Sequence, residues 1–166
     1  MLWDGEKKTV VNFEFVPDTV TVNGTEFAIG STITYTLTVA GVANGNVAGV
    51  AGSITYDDSI LTFVSADLSS LGVAEGSEKT GYNTIHNEVD GTIYYIASDI
   101  QYGFNFSEAS QIITVTFKVV GNDGDTLDIT YEIAEMFNME LEDIFLNGTK
   151  LDDAVTVTGT VAEVTP

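Results

Sequence analysis

The chain has 166 residues, no cysteine, and 25 acidic against five basic side chains, for a formal net charge of −20 at pH 7. That balance repels phosphate backbones and anionic lipid, which excludes nucleic acid and membrane surfaces as partners, and the missing cysteines exclude a disulfide framework or a thiolate metal site. Hydrophobic residues make up 44% and aromatics 10%, enough for one domain with a single core, while no stretch approaches the ~20 apolar residues that a membrane span needs.

Residues 1–8, MLWDGEKK, read as a tag or linker remnant without the apolar stretch of a secretion signal. The folded domain is expected over 9–162, with 163–166 opening a further linker. Strand character starts at Thr9, with Val11, Phe13 and Phe15 on one face; Pro17 and Asp18 interrupt it, and Thr19–Val22 resumes it before the Asn23-Gly24 hairpin signal. From Thr32 to Val39 the alternation is unbroken: Ile33, Tyr35, Leu37 and Val39 point one way, the intervening threonines the other. Further strands are predicted over Val47–Tyr56, Ile60–Ala66, Tyr82–Asn87, Thr92–Ser98, Ile112–Val120, Thr126–Ile133 and Val155–Val161. Turn signals separate them at Asp57-Asp58, Asp90-Gly91, Asn122–Asp125 and Asn147-Gly148. Only Met139–Ile144 and Ser107–Ser110 suit a helical turn. So many short strands, with sixteen glycines and two prolines, predict an antiparallel sandwich.

Catalysis finds little support, because the single histidine, His86, has neither a cysteine nor a G-x-S-x-G serine to activate. Asn122–Asp125 offers hard oxygen ligands for calcium, but it lacks the further ligands and the closing bidentate glutamate of an EF-hand loop, so a plain turn is expected. Tyr94, Tyr102, Phe104 and Phe106 are the candidates for stacking on sugar. In Thr92–Ser98 the alternation sets Ile93, Tyr95 and Ala97 against Tyr94, Ile96 and Ser98, and one set must be core.

The order of several segments carries more than any one of them. AIGSTITYTLTVAG resembles the PGDTV-type strand of cohesins, the scaffoldin modules that hold dockerin-bearing enzymes, and VANGNVAGVAGSI is similar to the loop and strand that follow it. YDDSILTFVSAD resembles the cohesin YDPxxL segment, with Asp58 where the family usually has proline. GTIYYIASDI, IITVTFKVVGNDGDTLDITY and AEMFNMELEDIFLNGTKLDDAVTVTG continue the likeness, which spans about Ile29 to Thr160.

The resemblance implies an all-β, nine-stranded antiparallel β-sandwich with jelly-roll topology. It further implies a non-catalytic, monomeric receptor that binds a calcium-loaded dockerin in an extracellular polysaccharide-degrading complex, secreted or surface-attached through a parent scaffoldin. No cofactor is expected on this chain, since the calcium belongs to the dockerin. The binding face implied is the sheet of the third, fifth, sixth and eighth strands, with Val50, Ile54 and Tyr56 inward and Gly49, Ala51, Ser53 and Thr55 outward on the third. Ile85 and Asn87 would come from the fifth strand, and Tyr94, Ile96, Ser98 and Asp99 from the sixth, with Tyr102 in the loop beyond. Better-known cohesins often carry Asn and Asp where this chain has Gly49 and Ala51, so its face relies on apolar burial rather than side-chain hydrogen bonds. Two other readings share the architecture: a carbohydrate-binding module, and an Ig-like adhesin or spacer.

Overall fold

The computed structural model describes residues 16–43, 46–71, 82–89 and 91–165, and within 82–89 only the side chain of Ile85. The expected strand from Thr9 and the tag or linker at 1–8 lie outside the described residues. In chain order the strands are β1 (Thr19–Val22), β2 (Thr25–Ala28), β3 (Thr32–Ala40), β4 (Asn46–Thr55), β5 (Leu61–Asp67), β6 (Tyr82–Val89) and β7 (Thr92–Ser98). They continue with β8 (Phe104–Asn105), β9 (Ser110–Val119), β10 (Thr126–Leu127), β11 (Thr130–Asn138), β12 (Asp143–Leu146), β13 (Thr149–Lys150) and β14 (Thr156–Glu163).

Two large sheets form the sandwich. One runs β14-β3-β9-β5 and the other β13-β12-β11-β4-β7-β6, with β8 also paired to β4. A small third sheet, β10-β1-β2, includes a parallel pairing of β1 with β10. The predicted alternation of β3 is realised residue by residue: Ile33, Tyr35, Leu37 and Val39 are buried, and the threonines between them half-buried. Val115 and Phe117 of β9 join them on the inner side of that sheet, facing Val50 and Ile54 of β4, Ile93 and Tyr95 of β7, and Ile133 and Met136 of β11. Each such side chain contributes about 1.5–3 kcal/mol by leaving water. The Tyr56 and Phe117 rings, 4.8 Å apart between centroids, tie the sheets together.

The core also holds the hydroxyls of Tyr35 and Tyr95. A Cβ at Gly159 would collide with the Tyr35 hydroxyl, and one at Gly52 would lie 2.6 Å from that of Tyr95, so these two glycines make room for the rings. Burial pushes the Tyr35 phenol up to about 12 and raises that of Tyr95 as well. Among the described residues the Tyr95 hydroxyl has no hydrogen-bond partner.

The Asn-Gly turns form as their sequences demand. Asn23 and Gly24 (φ 50° and 83°) close β1 onto β2, and Asn147 and Gly148 (φ 52° and 81°) close β12 onto β13, the left-handed pair that a tight hairpin of the right twist requires. At Asp57 the carboxylate accepts from the Ser59 hydroxyl (2.6 Å) and N–H (2.9 Å), and the hydroxyl bond is the main cause holding its carboxyl below the usual range.

The all-β sandwich expected from sequence is present; among the described residues it is divided into fourteen strand segments, so the expected nine is an approximate count. The extra segments are short: β8, β10 and β13 span two residues each. The stretch predicted as Thr126–Ile133 breaks at Asp128 and Ile129 into β10 and β11. Met139–Ile144 is not helical: Met139 and Glu140 form the turn of the β11–β12 hairpin, where the Asn138 side-chain carbonyl accepts from the N–H of Glu140 (3.0 Å) and Glu142 (2.9 Å). Ser107 and Glu108 form a bend ahead of β9, which begins at Ser110, and Ser69–Leu71 form a 3-10 turn. In Asn122–Asp125 the acids serve the backbone: Asp123 accepts from the Thr19 N–H (2.9 Å) and Asp125 from that of Asn122 (2.8 Å).

Candidate binding face

Residues paired across a sheet share a face, so the register of the larger sheet lays out its outer surface row by row. One row runs Leu146 (β12), Glu135 (β11), Ala51 (β4), Ile96 (β7). The next, toward the Asp99 turn, runs Asp143, Phe137, Gly49, Ser98, and the one on the other side runs Glu132, Ser53, Tyr94. Tyr94, Ile96 and Leu146 are exposed, with Ile96 42% accessible. Of the two alternations possible in Thr92–Ser98, Ile93, Tyr95 and Ala97 form the core set.

Gly49 has a packing reason. The Phe137 ring lies across it, so that a Cβ there would stand 2.6 Å from the ring's Cζ. Beside the ring a groove of about 260 Å³ is walled by Ala51, Ile96, Ile100, Glu135 and Phe137. Its far end is a turn built by Asp99, whose carboxylate accepts from the N–H of Gln101 (3.1 Å) and Tyr102 (3.0 Å), while the Gly103 N–H donates to the Asp99 carbonyl (2.9 Å). The turn leaves Ile100 and Tyr102 each 71% exposed. Asp99 thus shapes the edge of the face through backbone contacts.

Gly49, Ala51, Ser53, Tyr94, Ile96 and Ser98 therefore share one surface, with Asp99 and Tyr102 in the turn at its end. Ile85 does not belong there: it is the register partner of Tyr95, an inward residue, and packs against the core. Asn87 lies where the β6–β7 register shifts between His86 and Val89, and its side chain is outside the described residues. Sequence reasoning missed Phe137, Glu135 and Ile100. Strict alternation from the buried Ile133 would turn Phe137 inward; a bulge at Ala134, between Ile133 and Glu135, reverses the phase and brings Met136 into the core instead.

A larger cavity, of about 500 Å³, opens between β14 and β11–β13 and is lined by Tyr131, Glu132, Phe145, Lys150 and Val157 among others. Two of its polar groups are engaged internally: the Lys150 ammonium donates to the Val155 carbonyl (2.9 Å) and the Tyr131 hydroxyl to that of Val157 (3.4 Å). Of the aromatics considered for sugar stacking, Phe104 and Phe106 are buried and stacked on each other with centroids 5.9 Å apart. Among the described residues no group of three or more His, Cys, Asp or Glu could hold a metal ion, and no helix is long and apolar enough to cross a membrane.

No curated protein sequence matches the chain. Among solved structures, the sixth cohesin of scaffoldin B from Acetivibrio cellulolyticus, solved with a mutant Cel5 dockerin, superposes with a TM-score of 0.58 at 16% identity, covering 80% of this chain and 94% of that one. The seventh ScaB type I cohesin from Pseudobacteroides cellulosolvens gives 0.54 at 12% identity, over 75% and 80%. A type I cohesin–dockerin complex from Clostridium thermocellum gives 0.53 at 13% identity, over 84% and 92%. At these identities the likeness establishes the fold, the jelly-roll β-sandwich. The family model of the cohesin domain matches residues 19–162, and with that span of the described sandwich inside it, the chain belongs to the cohesin domain family.

Proposed function

We propose that the chain is a non-catalytic scaffoldin module that binds a calcium-loaded dockerin on the outer face of β6-β7-β4-β11 and works in an extracellular polysaccharide-degrading complex. The observation that carries this reading is the apolar strip of Ala51, Ile96 and Phe137, continued by Ile100, on a chain of formal charge −20. An exposed apolar patch rimmed by polar residues is the ordinary mark of a protein interface. The three strands whose outward side chains are described, β7, β4 and β11, lie side by side, and their outer surface is wide enough to take a helix pair. Calcium enters through the partner: it shapes the dockerin, and this chain contributes no ligand to it.

The test is titration of the purified module against a panel of dockerins by calorimetry, with calcium and with excess chelator. Tight, chelator-sensitive binding to at least one dockerin is expected. Binding to none, together with retention on insoluble polysaccharide, would overturn the reading in favour of a carbohydrate-binding module.

A further inference from the structure

Three features give the proposed dockerin face a chemistry of its own. The Phe137 ring is seated on the backbone of Gly49 and so stands at the side of the groove instead of beside a polar side chain. The groove is small, about 260 Å³, with the exposed side chains of Ile96 and Ile100 on its other walls. Along one side the apolar strip is flanked by acids: Glu132 and Glu135 on β11 and Asp143 on β12, all exposed.

Resting on the dockerin reading above, we propose that Phe137 and Glu135 set the specificity of this face. The groove takes one branched aliphatic side chain of a dockerin helix, clamped between Ile96 and the Phe137 ring, and a lysine or arginine one helical turn away lies over Glu135. Spacing of three or four residues puts two helical side chains on one side of the partner helix, which matches the adjacency of groove and acid on this sheet. The apolar contact supplies affinity at the centre of the interface, and the acids at its rim steer the cationic partner and reject an acidic one. Gly49 is part of the device, because any side chain there displaces the ring.

The dockerin that binds most tightly in the panel serves as the probe. Phe137→Ala is expected to weaken it about 100-fold and Phe137→Leu much less, with the melting temperature of each variant measured alongside. Gly49→Ala should weaken binding in the same direction by displacing the ring. Glu135→Lys should lower the association rate about tenfold at low salt and flatten its salt dependence, and a Lys→Glu or Arg→Glu change on the dockerin helix should restore it. If the dockerin binds the unaltered module but Phe137→Ala and Glu135→Lys both stay within twofold of it, the specificity assignment is overturned while the dockerin reading stands. If the unaltered module binds no dockerin, both fall.

Discussion

The two large sheets of this sandwich are built alike on the inside and oppositely on the outside. The outer face of β14-β3-β9 is a lawn of threonine: Thr158 opposite Thr38, Thr160 opposite Thr36, and Thr36 opposite Thr114, where the two hydroxyls lie 3.3 Å apart. The outer face of β11-β4-β7 carries Phe137, Ala51 and Ile96 at the matching depth of the sheet. Threonine satisfies the strand preference for β-branched side chains and still presents a hydroxyl to water, so the first face is finished as it stands. Bare apolar side chains on the second face cost solubility and gain nothing for the fold. The difference teaches that two sheets with equally apolar inner faces are told apart by their outer ones, one finished for water and the other left apolar where the proposed partner would dock.

The sharpest way to break this comparison is Ile96→Asp, which puts a charge at the centre of the apolar strip. It is expected to weaken dockerin binding by 100-fold or more, as loss of a central anchor does, without moving the melting temperature, whereas Thr36→Asp on the opposite face should leave affinity unchanged. Undiminished affinity of the Ile96 variant in calorimetry would mean that the partner sits elsewhere.

The core between the faces holds Tyr35 from the β14-β3-β9 sheet and Tyr95 from the β11-β4-β7 sheet. Both phenols are neutral and raised by burial, Tyr35 to about 12 from an ordinary 10.0. A raised phenol favours the folded state while both forms are neutral, so its stabilisation is complete below pH 10 and is lost as pH rises from there toward 12. Urea midpoints measured at pH 8, 10 and 11 should therefore fall only at the alkaline end. A midpoint flat through pH 11 contradicts the burial of these rings.

Replacing Tyr95 by phenylalanine sharpens the contrast further, since its hydroxyl is buried without a hydrogen bond among the described residues. Removing an unsatisfied buried hydroxyl is expected to leave stability unchanged or raise it by about 1 kcal/mol at pH 7. A loss of that size would instead reveal a partner for the hydroxyl. Smallest of all, Thr36→Val replaces one member of a cross-strand pair worth about 0.2–1 kcal/mol. Chemical denaturation should register a shift within that range and calorimetry none in dockerin affinity.

What could be read in the sequence followed the regularity of the strands. β3 and β7 alternate without interruption, so the two sets of side chains in each are legible; in β7 the alternation alone leaves open which set is core, and the family resemblance is what places Tyr94, Ile96 and Ser98 outward. β11 breaks its alternation. The bulge at Ala134 resets a count that assumes period two, which is why Phe137 is not expected on the outer face; Ile85 is set outward by the family resemblance alone, and the regular pairing of Tyr82 to His86 puts it opposite the inward Tyr95 instead. Bulges arise from pairing with a neighbouring strand, and the local sequence around Ala134 carries neither glycine nor proline to announce one. Met139–Ile144 misled for a related reason: Met, Glu and Leu favour helix in isolation, but the Asn138 side chain captures two backbone N–H groups and closes a hairpin instead.

The turn after β7 has a consequence for the thermodynamics of association. Two exposed apolar side chains on a free loop would have to be frozen when a partner arrives, and that loss of freedom would be subtracted from the binding free energy. Here the Asp99 carboxylate and carbonyl already hold the backbone of Gln101, Tyr102 and Gly103. The backbone that carries Ile100 and Tyr102 is thereby ordered during folding of the module, so a docking partner would have only their side-chain freedom left to remove.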